Sequence, residues 1–180
     1  IGHGQSHQQF RIDLIGHQLP TTFDQIDNSD PAWMERLWYT GHPAPSGDVI
    51  FDIGLGYHPN RNVMDAFAGV AVPGRQWNFR ASRRLRPDPL KTSVGPLSIQ
   101  VIEGLRRHRL SLAANDSGVA FELEFVGTLS PHEEKAHLRR RDGRITENMA
   151  RGQQLGRYRG WLEYDGKRVL SPAAVRLMTA

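Results

Sequence analysis

The chain has 180 residues, of which 38% are apolar and 23% are charged, and its formal net charge is +4. This composition is typical of a soluble globular protein, and a single domain of this length buries about 70% of the surface that its unfolded chain exposes. The absence of cysteine excludes disulfides and thiolate metal sites. The longest largely apolar run, residues 66–72, is too short to span a bilayer.

No leader sequence is recognisable, and we therefore expect a cytoplasmic protein without a membrane span. The chain begins with Ile1 rather than Met, which leaves open that a leader has been removed.

The amino-terminal segment, residues 1–29, is weakly patterned and rich in His, Gly and Gln. We expect it to be weakly ordered. Phe10, Ile12 and Leu14 alternate with polar residues, which predicts one possible strand within it.

Three strands are predicted next, because apolar residues alternate with small or polar ones in residues 49–57, 63–72 and 76–85. Turn-forming residues separate them at positions 58–62 and at Pro73-Gly74. This part of the chain therefore predicts a meander of antiparallel strands.

The same pattern of alternating strands separated by turns continues through the second half of the chain. Residues 97–101 alternate, the apolar phase changes near Gly104, and residues 119–125 form the clearest half-buried strand. The polar segment 130–143 predicts a loop or a short charged helix, and Asp165-Gly166 predicts a hairpin turn.

At the end of the chain, Ser171-Pro172 is typical of a helix start and predicts a short helix in a tail of residues 171–180. The remainder contains about nine or ten strands at even spacing and hardly any helix. The sequence thus predicts an all-β domain over residues 30–170, an antiparallel barrel or a strongly bent sandwich.

Three arginine-rich clusters raise the possibility of nucleic-acid binding. A nucleic-acid interface needs such clusters on one face and interleaved with aromatic residues, and only the first cluster has aromatic residues nearby. We therefore expect the arginine clusters to lie at strand ends and turns, and we expect no nucleic-acid partner. The clusters lie at residues 83–86, 106–109 and 139–141.

A metal site is not expected. His132 and His137 flank two glutamates, but a spacing of five places the histidines about 140° apart on a helix. No phosphate-binding loop is present either, because Gly54-Leu55-Gly56 lies within a strand, so no cofactor is predicted.

The candidate site lies in the meander, where polar side chains share one face of neighbouring strands. If that face lines a cavity, a buried Arg80 needs a partner, and Asp65 on the adjacent strand is the natural one. The turn at Pro73-Gly74 predicts Asp65 opposite Arg84, with Arg80 about four residues away along the strand pair. The predicted ligand-binding residues are Tyr57, His58, Asp65, Asn78, Arg80 and Arg83.

The alternative is that this polar face is solvated while Trp77 and Phe79 fill the core. The bulk of these two side chains favours the alternative, since burying them is worth several kcal/mol at about 25 cal/mol per Å².

Several short motifs resemble a group of uncharacterised bacterial proteins related to the hydroxyneurosporene synthase (carotenoid 1,2-hydratase) superfamily. The resemblance covers roughly residues 30–168. Its motifs lie at residues 56–65, 78–83, 95–99 and 138–144, with Gln154, Gly156 and Gly160.

This resemblance implies a lipocalin-like barrel, the first of two such domains, and a second domain after residue 168. Whether the sequence is a fragment of such a protein or lacks the two-domain arrangement stays open. The resemblance also implies binding of a hydrophobic, terpenoid-, steroid- or lipid-like molecule. Two alternatives stay open: a cofactor-free hydratase or cyclase that uses a buried carboxylic acid, with Asp65 as the candidate, or a structural or interaction half of a two-domain protein.

Overall fold

The computed structural model describes residue 26, residues 28–42 and residues 48–179, with residues 170–179 described by their backbone alone. Within these ranges the fold is all-β, as predicted, and contains no α-helix; a single 3-10 turn spans Pro59–Arg61. No helix in the described part is long and apolar enough to cross a membrane. The predicted first strand at Phe10, Ile12 and Leu14 lies outside the described residues.

Thirteen strands are present in the described part of the chain. In order they are β1 (Glu35–Gly41), β2 (Ile50–His58), β3 (Val63–Val72), β4 (Arg75–Arg84), β5 (Ser93–Val94), β6 (Leu97–Glu103), β7 (Arg107–Leu112), β8 (Val119–Gly127), β9 (His132–Glu133), β10 (His137–Arg141), β11 (Arg144–Met149), β12 (Gly152–Tyr164) and β13 (Lys167–Thr179).

Eleven of these strands form one antiparallel sheet. Its order is β4-β3-β2-β1-β13-β12-β8-β7-β6-β5, with β9 on the edge of β12, and β10 and β11 form a separate hairpin. Two meanders are thus joined by the long β12–β13 pair. We call the meander β1–β4 one arm of the sheet and the meander β5–β8 the other. The sheet curls strongly into a half-barrel, so β3 and β4 of the first arm come close to β5 and β8 of the second.

The core fills the concave side of the curl, and period-two alternation decides which side chains enter it. In β8, Phe121, Leu123 and Phe125 are buried while Glu122 is exposed, which confirms the predicted register of this strand. In β4, Phe79 is buried and Trp77 packs against the core. The alternative prediction for β4 is therefore confirmed: bulk decides its inner face.

Two predictions about local structure are wrong. The short helix predicted for the tail is replaced by β13, whose backbone pairs with β12 without a break from Tyr164↔Lys167 to Gly152↔Thr179. Long-range pairing outweighs the local helix-start signal at Ser171-Pro172. The predicted domain boundary at residue 170 thus falls inside a strand. The charged helix considered for residues 130–143 is replaced by β9 and the β10–β11 hairpin.

Candidate functional site

Four of the six residues predicted as a site, His58, Asp65, Asn78 and Arg80, lie on the outer, convex face of β2, β3 and β4. Asp65 pairs with Ser82, and Arg80 pairs with Phe67, because Pro73-Gly74 forms a two-residue turn that sets Val72 opposite Arg75. The predicted pairing of Asp65 with Arg84 is therefore wrong by two residues. The side chain of Asp65 is 49% exposed and Arg80 is exposed, so these two residues do not point into a shared interior cavity.

His58 Nε2 and Asp65 Oδ2 lie 3.4 Å apart on this outer face, a contact that is an ion pair when the imidazole is protonated. Gly56 lies beneath them and has no side chain, and a Cβ there would meet Asp65 Oδ1. The absence of a side chain at Gly56 thus leaves room for the contact between His58 and Asp65. Exposed pairs of this kind contribute about 0–1 kcal/mol to stability.

Asn78 and Arg80 border an open depression of about 230 Å³ on the same outer face. Its lining also includes Gly69 and Asp52, and Asp52 Oδ1 accepts a hydrogen bond from Trp38 Nε1 at 3.1 Å. The depression is open to solvent. That Asn78 and Arg80 bind a ligand stays a prediction.

The other two predicted residues point elsewhere. Tyr57 is buried in the core. Arg83 holds the loop after β4 in place, because its guanidinium donates hydrogen bonds to the backbone carbonyl oxygens of residues 84, 85, 88, 91 and 93. This arrangement makes Arg83 a structural residue.

The concave side contains a cluster that the sequence analysis did not single out. His108, Phe125 and Tyr158 are direct neighbours across β7, β8 and β12 and form one row on the inner face. The ring centroids are 5.9 Å apart for His108 and Phe125 and 5.4 Å apart for Phe125 and Tyr158. Tyr39 and Phe51 close this row from the opposite arm, and we call these five residues the inner ring cluster.

The inner ring cluster joins the two arms through one hydrogen bond and several edge contacts. Tyr39 Oη lies 2.8 Å from His108 Nδ1. The Tyr39 ring meets Phe125 at 6.1 Å, and the Phe51 ring meets Tyr158 at 5.0 Å, both edge to face. Such ring pairs add about 0.5–1.5 kcal/mol beyond the area that they bury.

His108 is neutral at physiological pH, because burial lowers the pKa of its imidazole to about 4. A neutral imidazole has one donor nitrogen and one acceptor nitrogen. If the Tyr39 hydroxyl donates to Nδ1, the proton of His108 lies on Nε2; if Nδ1 donates instead, Nε2 is an acceptor.

Two polar atoms of the cluster have no hydrogen-bond partner among the described residues: His108 Nε2 and the hydroxyl of Tyr158. Both side chains are buried, with 4% of His108 and 0% of Tyr158 exposed. Burial, with smaller effects from Tyr39 and Asp52, raises the pKa of Tyr158 well above its ordinary value, so this hydroxyl keeps its proton. The cluster therefore offers a neutral hydrogen-bonding site lined by aromatic rings.

A buried carboxyl group lies on the same concave side. Glu35 on β1 is 2% exposed and stands opposite Tyr57 of β2. It is four residues from Tyr39 along β1, about 13 Å at the rise of an extended strand. Glu35, rather than Asp65, is the buried acid of the described chain on this side.

One signal in the sequence identifies His108 as an inner residue. It stands within an arginine cluster, but it has the same parity as Leu110 and Leu112, which face the core. Among the residues that the structure describes, no group of three or more His, Asp or Glu side chains could hold a metal ion.

Comparison with known proteins places this geometry in context. A crystal structure of a candidate AttH (NE1406) from Nitrosomonas europaea superposes with a TM-score of 0.62 at 14% identity, over 81% of this chain and 50% of that one. The chain thus spans half the length of that protein, and at this identity the likeness concerns the fold alone. No curated protein matches the chain closely.

One family matches nearly the whole chain, over residues 13–176. The chain therefore belongs to the family of unknown function DUF8625.

Proposed function

We propose that the protein binds a small apolar molecule with one oxygen-containing group on the concave side of the curled sheet, at the inner ring cluster. The observation that carries this proposal is the pair of buried polar atoms, His108 Nε2 and Tyr158 Oη, that lack a partner among the described residues. Leaving a buried polar atom unpaired costs about 1–3 kcal/mol, and native proteins keep few such atoms. A ligand oxygen that pairs with either atom would remove that atom's share of the cost.

The chemistry of the two groups selects the ligand. The Tyr158 hydroxyl can donate, and His108 Nε2 donates or accepts according to its tautomer. An alcohol oxygen suits either case, because it can donate one hydrogen bond and accept two. Since both protein groups are neutral, the proposal favours an alcohol or a carbonyl compound over a carboxylate or a phosphate.

Aromatic rings surround these polar atoms and would contact the apolar body of the ligand. The rings of Phe125 and Tyr158 pack on each other with their centroids 5.4 Å apart. Binding therefore exchanges ring–ring contacts for ligand–ring contacts, and the affinity depends on the cost of rearranging the rings. The resemblance to terpenoid-converting proteins agrees with a ligand of this type.

Calorimetric titration with farnesol and with its saturated hydrocarbon, farnesane, tests the proposal. We expect farnesol to bind more tightly, by about 2–13-fold for each hydrogen bond gained. His108→Phe and Tyr158→Phe should each reduce this preference. Asp65→Asn and Arg80→Gln, on the outer face, serve as matched controls and should leave it unchanged. Equal affinity for the two compounds, or loss of binding only in the controls, would contradict the proposal.

A cofactor-free hydratase or cyclase is a second candidate, and the burial of Glu35 favours it. A carboxylic acid in an apolar interior can protonate an alkene, and aromatic faces can stabilise the resulting cation. Asp65 does not suit this role, because it is half-exposed and paired with His58. Incubation of isoprenoid alkenes in deuterated water tests this candidate: deuterium incorporation that Glu35→Gln abolishes, with farnesol binding intact, would support it. Absence of incorporation would refute it.

A further inference from the structure

Exposed apolar side chains concentrate at one end of the sheet. Strand register brings together the end of β6, the start of β7, the end of β8 and the start of β12. In the described part of the chain, six of the eight large apolar side chains that are exposed lie at this end or on the β10–β11 hairpin next to it. They are Val101, Ile102, Leu129, Leu138, Ile145 and Leu155.

Hydrogen bonds hold the connections at this end together. The Gln154 side-chain amide donates to the carbonyl oxygen of Leu105 at 2.6 Å and to that of Leu129 at 2.9 Å. It thereby ties the β6–β7 turn and the β8–β9 connection to the start of β12. The β10–β11 hairpin leaves the sheet between β9 and β12. Its second strand lines an open depression together with residues of the segment 28–36. We call residues 101–107, 127–129 and 135–155 the rim.

The rim is strongly basic. Residues 135–151 contain six Lys and Arg against two acidic residues, an excess equal to the net charge of +4 of the whole chain. Glu147 is already engaged by His137 at 3.1 Å and Arg139 at 3.5 Å. Arg140 and Arg144 are exposed and make no ion pair with the described residues. Their charge is thus available to an anionic partner.

Apolar and basic side chains share one face of the hairpin. Arg140 stands opposite Ile145, and Leu138 has the same parity as Arg140. Leu138 is 54% exposed and Ile145 is 52% exposed. Residues 135–151 contain no Phe, Tyr or Trp, so the hairpin has no side chain on which a nucleic-acid base could stack. Aliphatic residues beside guanidinium groups are instead typical of a surface that rests at the interface of an anionic bilayer.

We propose that the rim docks on the surface of an anionic lipid bilayer without crossing it. Leu138 and Ile145 enter the boundary between headgroups and acyl chains. Arg140, on the same face, and Arg144, which flanks the turn of the hairpin, pair with lipid phosphates. The proposal rests on the hairpin and its charge, and it does not depend on the ligand site of the inner ring cluster.

Cosedimentation with large unilamellar vesicles tests this inference. We expect the protein to bind vesicles with about one-third phosphatidylglycerol and to leave pure phosphatidylcholine vesicles nearly free, with binding that weakens as salt is added. Arg140→Ser with Arg144→Ser should lower the partition coefficient about 25-fold, at about fivefold for each charge. Leu138→Ser with Ile145→Ser should lower it about tenfold or more.

The matched control is Ile50→Ser with Arg75→Ser, an exposed aliphatic residue and an exposed arginine at the opposite end of the sheet. It should bind like the unsubstituted protein, and thermal unfolding should show that every variant is folded. Equal binding to both vesicle types, or an equal loss in the control, would overturn the proposal. The proposal would also be overturned if the protein bound single-stranded RNA instead of vesicles, and if this binding required Arg140 and Arg144 but not Leu138 and Ile145.

Discussion

Tyr158→Phe removes one buried hydroxyl and keeps the ring contacts of the inner ring cluster. The ring of Tyr158 lies 5.0 Å from Phe51 and 5.4 Å from Phe125, and these contacts do not require the hydroxyl. The hydroxyl is fully buried and has no partner among the described residues. Its desolvation therefore costs the folded state about 1–3 kcal/mol. We expect the variant to be more stable than the unsubstituted protein by about this amount.

Tyr39→Phe is the matched control, since it removes a buried hydroxyl that is hydrogen-bonded to His108 Nδ1. This change leaves a ring nitrogen unpaired and should lower the free energy of unfolding by about 1–3 kcal/mol. Urea titrations followed by circular dichroism measure both variants, and each kcal/mol corresponds to about 2–4 °C in the midpoint of thermal unfolding. If Tyr158→Phe proved as destabilising as Tyr39→Phe, the Tyr158 hydroxyl would have a partner in the unliganded protein. The argument for a ligand anchor would then fail.

Three further predictions concern the core and its supports. His108 takes up a proton near pH 6.5 in the unfolded chain and only near pH 4 in the folded chain. The free energy of unfolding should therefore fall by about 3 kcal/mol as the pH drops through this window. In pH-dependent denaturation, His108→Phe should remove this contribution. Leu123→Ala should cost about 2–5 kcal/mol and Glu122→Ala less than about 0.5 kcal/mol in the same assay, while the reverse order would mean a register shifted by one residue. Arg83→Lys should lower the free energy of unfolding by about 1–3 kcal/mol and accelerate amide exchange in residues 85–92, because an ammonium group cannot reach all the carbonyl oxygens that the guanidinium contacts. Unchanged amide exchange would contradict the structural role of Arg83.

The strands were predictable where alternation and bulk agree. In β8 the apolar residues share one parity and the glutamates the other, so the buried face follows directly. In β4 the polar residues suggested a functional face, but Trp77 and Phe79 determine which face turns inward, since burying rings outweighs pairing one arginine. The face that was predicted to line a cavity therefore lies on the outside of the sheet.

The inner ring cluster could not be predicted from local pattern alone. Its members come from β1, β2, β7, β8 and β12, and the pairing of β13 with both β1 and β12 joins the two arms in one sheet. The second half of β13 lies in the tail, residues 171–180, for which the sequence predicts a short helix, because a proline after serine is a helix-start signal when taken without its pairing partner. Sites formed by long-range pairing leave little trace in the local periodicity of a sequence.

Nitrogen-15 NMR of the histidine side chains tests the ligand site most directly. His108 is assigned by comparison with His108→Phe, and farnesol is titrated into the labelled protein. The account predicts that the imidazole resonances of His108 move with the ligand and that those of His58, on the outer face, stay in place. Movement of His58 with His108 unchanged would locate binding on the convex face and contradict the account.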